Sequence, residues 1–279
     1  MVERAGRVEG KAAIVTGAGS TPGPGIGTGK AAAVVLAREG ARVLLVDLFP
    51  ERAEETLALI ESEGGTARVF PADCTRSDDC AAMVAAAVDA FGAVDVLVNN
   101  IGRAFVGTVV DTSEADWDRV IDLNLRTAFL ASKHTVPVMA GNGGGSIVNV
   151  SSISAVRGDG TVAYSAAKGA LLAMTVDMAY SHGRDGIRVN AIAPGHITTP
   201  MVHSVQAPGP RAEFMDTMRR EAGLLGTPGD GWDVGWAVGF LASDEARWIT
   251  GTLLPVDSGV LSVAPLMMAS HLRAVPEPS

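Results

Sequence analysis

KAAIVT, residues 11–16, is a short apolar run, and GAGSTPGPGIG, residues 17–27, is a glycine-rich loop that follows it directly. The run is typical of a buried strand. Residues 30–39 then favour a helix, which Gly40 ends. A glycine-rich turn between a first strand and a first helix predicts a site for a dinucleotide pyrophosphate, because backbone N–H groups and the helix N-terminus attract phosphate.

Apolar runs of strand length alternate with helix-forming segments along the rest of the chain. The predicted strands are residues 11–16, 42–47, 67–71, 94–99, 146–151, 187–192 and 253–257, and the predicted helices are 30–39, 51–63, 77–91, 113–140, 164–182 and 233–242. Pro137 is expected to bend or end the fourth of these helices, and residues 193–229 read as irregular with helical stretches. Uniformly apolar strands between helices indicate a parallel sheet covered on both faces. The sequence therefore predicts an α/β chain with one doubly wound Rossmann domain over residues 1–279 and about seven strands.

The composition narrows the classes of partner. The chain has 279 residues, a net charge of −9 and no basic cluster, which argues against nucleic acid and anionic membrane as partners. Cys74 and Cys80 are too few for a disulfide framework, and the five histidines show no metal-ligand spacing. No apolar leader or membrane-length run is seen, so a cytoplasmic location without a metal site is expected.

Tyr164 and Lys168 are four residues apart in a segment that favours helix, so their side chains share one face. An ammonium within ~4–6 Å would favour the phenolate and lower the phenol pKa. Such a tyrosine could exchange a proton with an alcohol or a carbonyl near neutral pH. The same spacing also arises by chance on amphipathic helices.

Asp47 ends the second predicted strand, twenty residues beyond Gly27. An acid there can accept hydrogen bonds from both adenosine ribose hydroxyls, although a turn or helix-capping aspartate is the alternative. Neither residues 18–24 nor residues 48–50 include a lysine or arginine to meet a 2′-phosphate. The predicted cofactor is therefore NAD rather than NADP.

Several motifs occur in the order typical of one enzyme family, and the chain resembles the core form of the short-chain dehydrogenase/reductases over residues 10–259. The motifs are, in chain order, Thr16-Gly17 with Gly25-Ile26-Gly27, Asp73-Cys74, Asn99-Asn100-Ile101-Gly102, Asn124, Ile147 to Ser152, Tyr164 with Lys168, Pro194 to Thr199, and Val256 to Gly259. The resemblance implies an oxidoreductase that moves a hydride between NAD(H) and a secondary alcohol or ketone.

The resemblance also assigns roles to residues. Tyr164 would be the acid/base, Lys168 would lower its pKa and hold the nicotinamide ribose, Ser152 would orient the substrate oxygen, and Asn124 would hold a water in the proton relay. The expected cofactor-binding residues are Gly17, Gly25, Ile26, Gly27, Asp47, Asp73, Cys74, Asn100, Tyr164, Lys168, Ile197 and Thr199.

Two departures from the family pattern matter. The glycine-rich loop has four extra residues, about Thr21 to Pro24, which we call the insert and expect to bulge outward. The loop from serine to tyrosine is one residue short, so spacing favours Ser151 and the strand motif favours Ser152. We choose Ser152, because strand alternation decides which side chain faces the site, whereas loops absorb deletions.

The substrate side is expected in residues 196–230, with a mobile corner at residues 208–210. Its apolar members suit an apolar or cyclic substrate, although they could equally cover the core or a neighbouring subunit: Met201, Val202, Val205, Phe214, Met215 and Met218. The tail, residues 260–279, extends beyond the family core. The resemblance implies a homotetramer paired through the helices that start near Ser113 and Tyr164.

Two other functions remain open. One is reduction of a 3-oxoacyl thioester, which should need basic residues near the site mouth for a carrier protein. The other is a catalytically silent NAD-binding regulator, which typically lacks the tyrosine or the lysine.

Overall fold

The computed structural model of the chain describes residues 6–204 and 209–263. Its strands are β1 (Ala12–Thr16), β2 (Arg42–Asp47), β3 (Thr66–Pro71), β4 (Val96–Asn99), β5 (Gly145–Val150), β6 (Ile187–Pro194) and β7 (Leu253–Val256). Its helices are α1 (Thr28–Arg38), α2 (Pro50–Ser62), α3 (Ser77–Phe91), α4 (Glu114–Ile121), α5 (Thr127–Gly141), α6 (Val162–His182), α7 (Pro200–Ser204), α8 (Pro210–Glu221) and α9 (Gly231–Ala242).

The seven strands pair in parallel in the order β3-β2-β1-β4-β5-β6-β7. The predicted parallel sheet of about seven strands is confirmed. The chain reverses its direction across the sheet between β1 and β4, and ligands bind at the carboxyl ends of strands at such a reversal.

The core has one apolar cluster on each face of the sheet. Neighbouring residues of β1 belong to different clusters. Val15 lies in the cluster under α1 and α9, and Ile14 lies in the cluster under α3 and α5. This division follows from the alternation of side chains along a strand. The two helices of the first cluster pack closely: a Cβ at Gly235 of α9 would lie 3.0 Å from the carbonyl oxygen of Ala31 in α1.

The helix predicted for residues 113–140 differs from expectation in its middle. Helices α4 and α5 are joined without a break by a π-helical turn, Asp122–Arg126. Pro137 does not end the helix, because α5 continues to Gly141. A π turn accommodates one residue more than an α turn and leaves a carbonyl free for a side chain, and this one contains Asn124.

Within residues 6–204 and 209–263, no helix is long and apolar enough to cross a membrane.

Candidate active site

A cleft of about 680 Å³ runs along the carboxyl ends of β1, β2, β4, β5 and β6. The loops that follow these strands form its walls, and α1 and α6 begin at its floor. The position is the one expected for a nucleotide and a substrate in a doubly wound sheet.

The phosphate end of the cleft is built by the glycine-rich loop and the start of α1. Gly27 caps α1 without a side-chain hydrogen bond, and the first turn of the helix has no acidic residue. Gly29 lets the helix meet the loop closely, since a Cβ there would lie 1.9 Å from the carbonyl oxygen of Gly17. The uncapped N–H groups and the space that side chains would fill suit a diphosphate.

Two side chains hold this loop in place. Asn100 donates through Nδ2 to the carbonyl oxygen of Gly17 at 3.0 Å and accepts from the Thr28 hydroxyl at 2.6 Å. Ser20 accepts from the N–H of Gly27 at 3.2 Å through its Oγ. Asn100 thus ties the end of β4 to both ends of the loop.

The insert projects from the loop, with Pro22, Gly23 and Pro24 exposed. It leans towards the substrate side, because a Cβ at Gly23 would lie 3.5 Å from Cβ of Pro200. Among the predicted cofactor contacts, Gly17 and Gly27 line the cleft, whereas Gly25 is exposed and Ile26 is buried, and neither of these two lines it.

Asp47 lines the cleft at the end of β2. One carboxylate oxygen accepts from the N–H of Gly19 at 3.0 Å, and the other accepts from the N–H of Phe49 at 3.0 Å. The carboxylate is therefore fixed against the loop by two backbone donors. Arg52 lies beside it in the cleft wall, with its guanidinium 4.1 Å from the centroid of the Phe49 ring.

Asp73 and Cys74 line the far end of the cleft after β3. Asp73 accepts from the N–H and the hydroxyl of Thr75, and its own N–H donates to Asp79. The buried thiol of Cys80 donates to the carbonyl oxygen of Cys74 at 3.4 Å. The Cys80 sulfur and burial both raise the pKa of the Cys74 thiol, which therefore stays protonated.

The two candidate serines face different partners. The Ser152 hydroxyl lies in the cleft wall next to the Tyr164 phenol, near enough to lower its pKa. Ser151 is buried, and its hydroxyl donates to the carbonyl oxygen of Lys168 at 3.0 Å. The structure thus brings Ser152, and not the Ser151 hydroxyl, to the phenol.

The pKa of Tyr164 lies above its ordinary value, at about 12, and Lys168 is not among the causes. Burial of the phenol raises it most, the neighbouring Ser152 hydroxyl lowers it, and the Asp159 carboxylate raises it further. Lys168 is 2 % exposed, and burial lowers its pKa to about 8. Its Nζ donates to the carbonyl oxygen of Val150 at 2.8 Å and lies 5.7 Å from the centroid of the Tyr164 ring. The ammonium therefore forms its hydrogen bond with the end of β5.

Asn124 is fully buried in the π turn between α4 and α5. Its Nδ2 donates to the carbonyl oxygens of Val120 and Arg103, and its Oδ1 accepts from the N–H of Arg103. A Cβ at Gly102 would lie 2.7 Å from Asn124 Oδ1 and 2.9 Å from Lys168 Nζ. The amide and the lysine thus converge on the backbone at Gly102.

The segment after β6 forms the substrate side of the cleft. Ile197, Thr199, Met201 and Val202 line it. Phe214 and Met215 are exposed and Met218 is half-buried, and none of the three lines the cleft. Val205 and most of the predicted tail lie outside the described residues.

The cleft residues that sequence reasoning missed include Arg103, Ser154 and Asp159. Ser154 and Asp159 are hydrogen-bonded to each other, and Ser154 is bonded to Ser152. The sequence feature that could have identified Asp159 is its position between two glycines, five residues before Tyr164.

Comparison with known proteins agrees with the geometry. A family model described as "Enoyl-(Acyl carrier protein) reductase" matches residues 24–261. The 2-(S)-hydroxypropyl-CoM dehydrogenase 3 of Xanthobacter autotrophicus is 38 % identical over 245 residues, which are 86 % of this chain and 95 % of that protein.

Two solved structures have the same fold. One, assigned to the short-chain dehydrogenase/reductases, from Burkholderia xenovorans, is 42 % identical with a TM-score of 0.90, covering 93 % of this chain and 100 % of that one. A 7α-hydroxysteroid dehydrogenase complexed with NADH and 7-oxo glycochenodeoxycholic acid is 33 % identical with a TM-score of 0.83, covering 91 % and 95 %. Motifs, sheet order and relatives agree, and the chain belongs to the short-chain dehydrogenase/reductase family of oxidoreductases.

Proposed function

We propose that the protein is an NAD-dependent dehydrogenase that interconverts a secondary alcohol and its ketone. The observation that carries the proposal is the pair of neighbouring Tyr164 and Ser152 hydroxyls in the wall of one cleft, with Lys168 and Asn124 converging at Gly102. A silent regulator would have no need to keep these four side chains together.

The cofactor and two side chains have separate roles in the proposed reaction. The nicotinamide, when bound, accepts or supplies the hydride. Tyr164 takes the proton from the alcohol or gives it to the developing alkoxide. Ser152 hydrogen-bonds the same oxygen and so stabilises the charge that develops on it.

Lys168 and Asn124 act on the reaction through Tyr164. With a pKa of about 8, Lys168 can gain and lose a proton near neutral pH, and Asn124 lies beside it at Gly102. We infer that this buried pair passes protons between Tyr164 and solvent during turnover. The positive charge of an oxidised nicotinamide would help to offset the high phenol pKa by favouring the phenolate.

NAD is the proposed cofactor because of Asp47. Its carboxylate, fixed by the N–H groups of Gly19 and Phe49, is positioned to accept from ribose hydroxyls and would repel a 2′-phosphate. The phosphates would be held by Gly17, Gly27 and the start of α1, the adenine by Asp73 and Cys74, and the nicotinamide half by Asn100, Lys168, Ile197 and Thr199.

The proposed substrate is an apolar or cyclic alcohol or ketone, since Met201 and Val202 face the cleft beside the reacting pair. The test is a panel of secondary alcohols with NAD and of ketones with NADH, followed at the absorbance of the reduced nicotinamide. Tyr164→Phe should lose ~10²-fold or more in kcat, in line with general acid–base contributions, while NADH binding is retained. Normal turnover of this variant would overturn the proposal.

Reduction of a 3-oxoacyl thioester is a second candidate, and the acyl-carrier description of the matching family model favours it. Arg103 in the cleft wall is a base that could meet an anionic carrier. The same panel should therefore include a 3-oxoacyl thioester, and a kcat/KM for it above that of every simple ketone would decide for this candidate.

We also propose a homo-oligomer, a tetramer by family resemblance. The outer surface of α4, α5 and α6 exposes Trp117, Phe129, Val176 and Tyr180, and burying this apolar area would favour association. Light scattering of the purified protein checks it, and a monomeric mass at micromolar concentration would contradict it.

A further inference from the structure

We propose that Asp159 is a positioning residue that holds the Ser152 proton away from Tyr164 and so keeps the phenol protonated. The inference deepens the proposed function and rests on it for its kinetic consequence. It starts from a chain of hydrogen bonds that ends at an acid in the cleft wall.

The chain runs through three side chains. The Ser154 hydroxyl donates to one carboxylate oxygen of Asp159. The Ser152 hydroxyl donates to Ser154 Oγ at 3.0 Å, and the N–H of Ser154 donates back to Ser152 Oγ at 3.1 Å. Since Asp159 takes the only hydroxyl proton of Ser154, Ser154 Oγ is left to accept from Ser152.

Ser152 has one proton and two neighbours that compete for it. These neighbours are Ser154 Oγ and the Tyr164 oxygen. Because Asp159 fixes Ser154 as the acceptor, the Ser152 proton lies on the bond to Ser154, and the lowering of the Tyr164 pKa by Ser152 needs this bond to break. A Tyr164 phenolate would need the Ser152 proton and would have to break the bond to Ser154.

The charge of Asp159 acts in the same direction. Its carboxylate raises the pKa of Tyr164 by charge repulsion. Other charged or titratable groups around the site are Lys168, whose Nζ bonds Val150, Arg103 in the cleft wall, and Arg157, which bonds the Val263 carbonyl oxygen. The pKa of His196 is lowered by burial and by Arg219, while the Asp159 carboxylate raises it. Asp159 is thus the acid that opposes ionisation of Tyr164 in both ways.

The second carboxylate oxygen provides a matched control. It accepts from the Thr161 hydroxyl at the start of α6. Thr161→Val therefore removes one hydrogen bond of Asp159 and leaves its charge and its bond to Ser154. Asp159→Asn removes the charge in a side chain of the same shape.

The kinetic test is the pH dependence of kcat/KM for oxidation of the best alcohol of the panel. The rate rises with pH as Tyr164 ionises, because oxidation needs the phenolate. Asp159→Asn should move this rise to lower pH by about 0.5 units or more, Ser154→Ala should move it by less, and Thr161→Val should leave it in place.

A titration without turnover separates this inference from the proposed function. The chain has two tyrosines, and Tyr180 is 87 % exposed, so Tyr180→Phe leaves Tyr164 as the one reporter. With tyrosine carbon-13 labelled at Cζ, magnetic resonance follows its ionisation directly, while circular dichroism defines the pH range in which each variant stays folded. Adding Asp159→Asn should lower the midpoint, and adding Asp159→Glu, which keeps the charge, should not.

The outcomes are distinct. A lower titration midpoint for Asp159→Asn, with Asp159→Glu unchanged, supports the inference. An unchanged or higher midpoint overturns it, and a lower kcat with neither the pH profile nor the midpoint moved would make Asp159 merely structural. If Tyr164→Phe is fully active, the proposed function fails. The titration still decides whether Asp159 raises the pKa of Tyr164.

Discussion

At the scale of single residues, the site depends on which way a few hydroxyls point. Ser151 and Ser152 are neighbours, yet the Ser151 hydroxyl bonds the backbone of α6 and the Ser152 hydroxyl lies next to the phenol of Tyr164. The two residues follow directly after β5, and Ser152 keeps an extended backbone (φ −165°, ψ 158°), in which successive side chains point to opposite sides.

Exchange of each serine for alanine should separate their roles. Ser152→Ala is expected to lower kcat by about 10²-fold, as for loss of one donor to a developing oxyanion. Ser151→Ala leaves the Lys168 carbonyl without one partner and should cost about 1 kcal/mol of stability with little loss of kcat. Steady-state rates and thermal unfolding of both variants check this, and the reverse order of kcat losses would assign catalysis to Ser151.

Asp47 should determine the choice between NAD and NADP. We expect kcat/KM to favour NAD by at least tenfold, which requires only ~1.4 kcal/mol. Asp47→Ala should narrow this gap mainly by weakening NAD, because the carboxylate bonds the ribose hydroxyls.

Arg52 gives this prediction a matched variant. It lies beside Asp47 and is the base nearest to a 2′-phosphate. Arg52→Ala in the Asp47→Ala background should remove any gain in NADP use. Equal kcat/KM for both cofactors in the unaltered protein would mean that Asp47 does not contact the ribose.

At the scale of elements, the insert joins two parts of the cleft. Gly23 lies against Pro200, at the start of α7, and Thr21 lines the cleft. The glycine-rich loop and the segment that carries Met201 and Val202 thus touch through the insert.

Deletion of residues 21–24 restores the family spacing of the loop. A folded protein that still binds NADH is expected, because long surface loops add little closure entropy. Since the insert contacts Pro200, the KM for the alcohol should rise more than the Kd for NADH, as measured by kinetics and by fluorescence titration. Complete loss of NADH binding would show that the insert itself holds the phosphates.

The elements also show what sequence can predict. Apolar runs and glycines predicted the strands and the order of helices, and the family resemblance implied that Gly17, Asp47, Ser152 and Tyr164 belong to one site. They could not predict the π turn at Asn124, because the pattern of apolar residues is the same with or without one extra residue in a turn. The direction of the Tyr164 pKa shift was also out of reach, since it depends mainly on how deeply the phenol is buried.

At the scale of the whole molecule, the buried Lys168 of the site lowers the stability of the folded chain. Lys168 is buried between β5 and α6, and burial lowers its pKa to about 8 from an ordinary value of 10.5. The unfolded chain therefore binds the proton more tightly than the folded one, so stability rises with pH between about 8 and 10.5. Below that window the full cost of a buried charge is present.

Lys168→Met should remove this cost. At pH 7 we expect the variant to be inactive and more stable than the parent by ~1–3 kcal/mol, as when a buried ionic group is replaced by an apolar one. The difference should shrink as pH rises from 8 towards 10.5. Urea unfolding at several pH values measures it, and Lys133→Met, which removes an exposed lysine of α5, is the control.

The π turn also has a consequence for inheritance. Deletion of one residue from the middle of a buried helix normally rotates all the following residues about the helix axis. Their apolar side chains then no longer face the core. Between codons 122 and 126 the same loss would remove the surplus residue of the π turn, so α4 and α5 would continue as one regular helix in their present phase. Such a lineage would keep a folded, nucleotide-binding protein and lose the place that Asn124 occupies, so a silent relative could arise from this gene in one deletion.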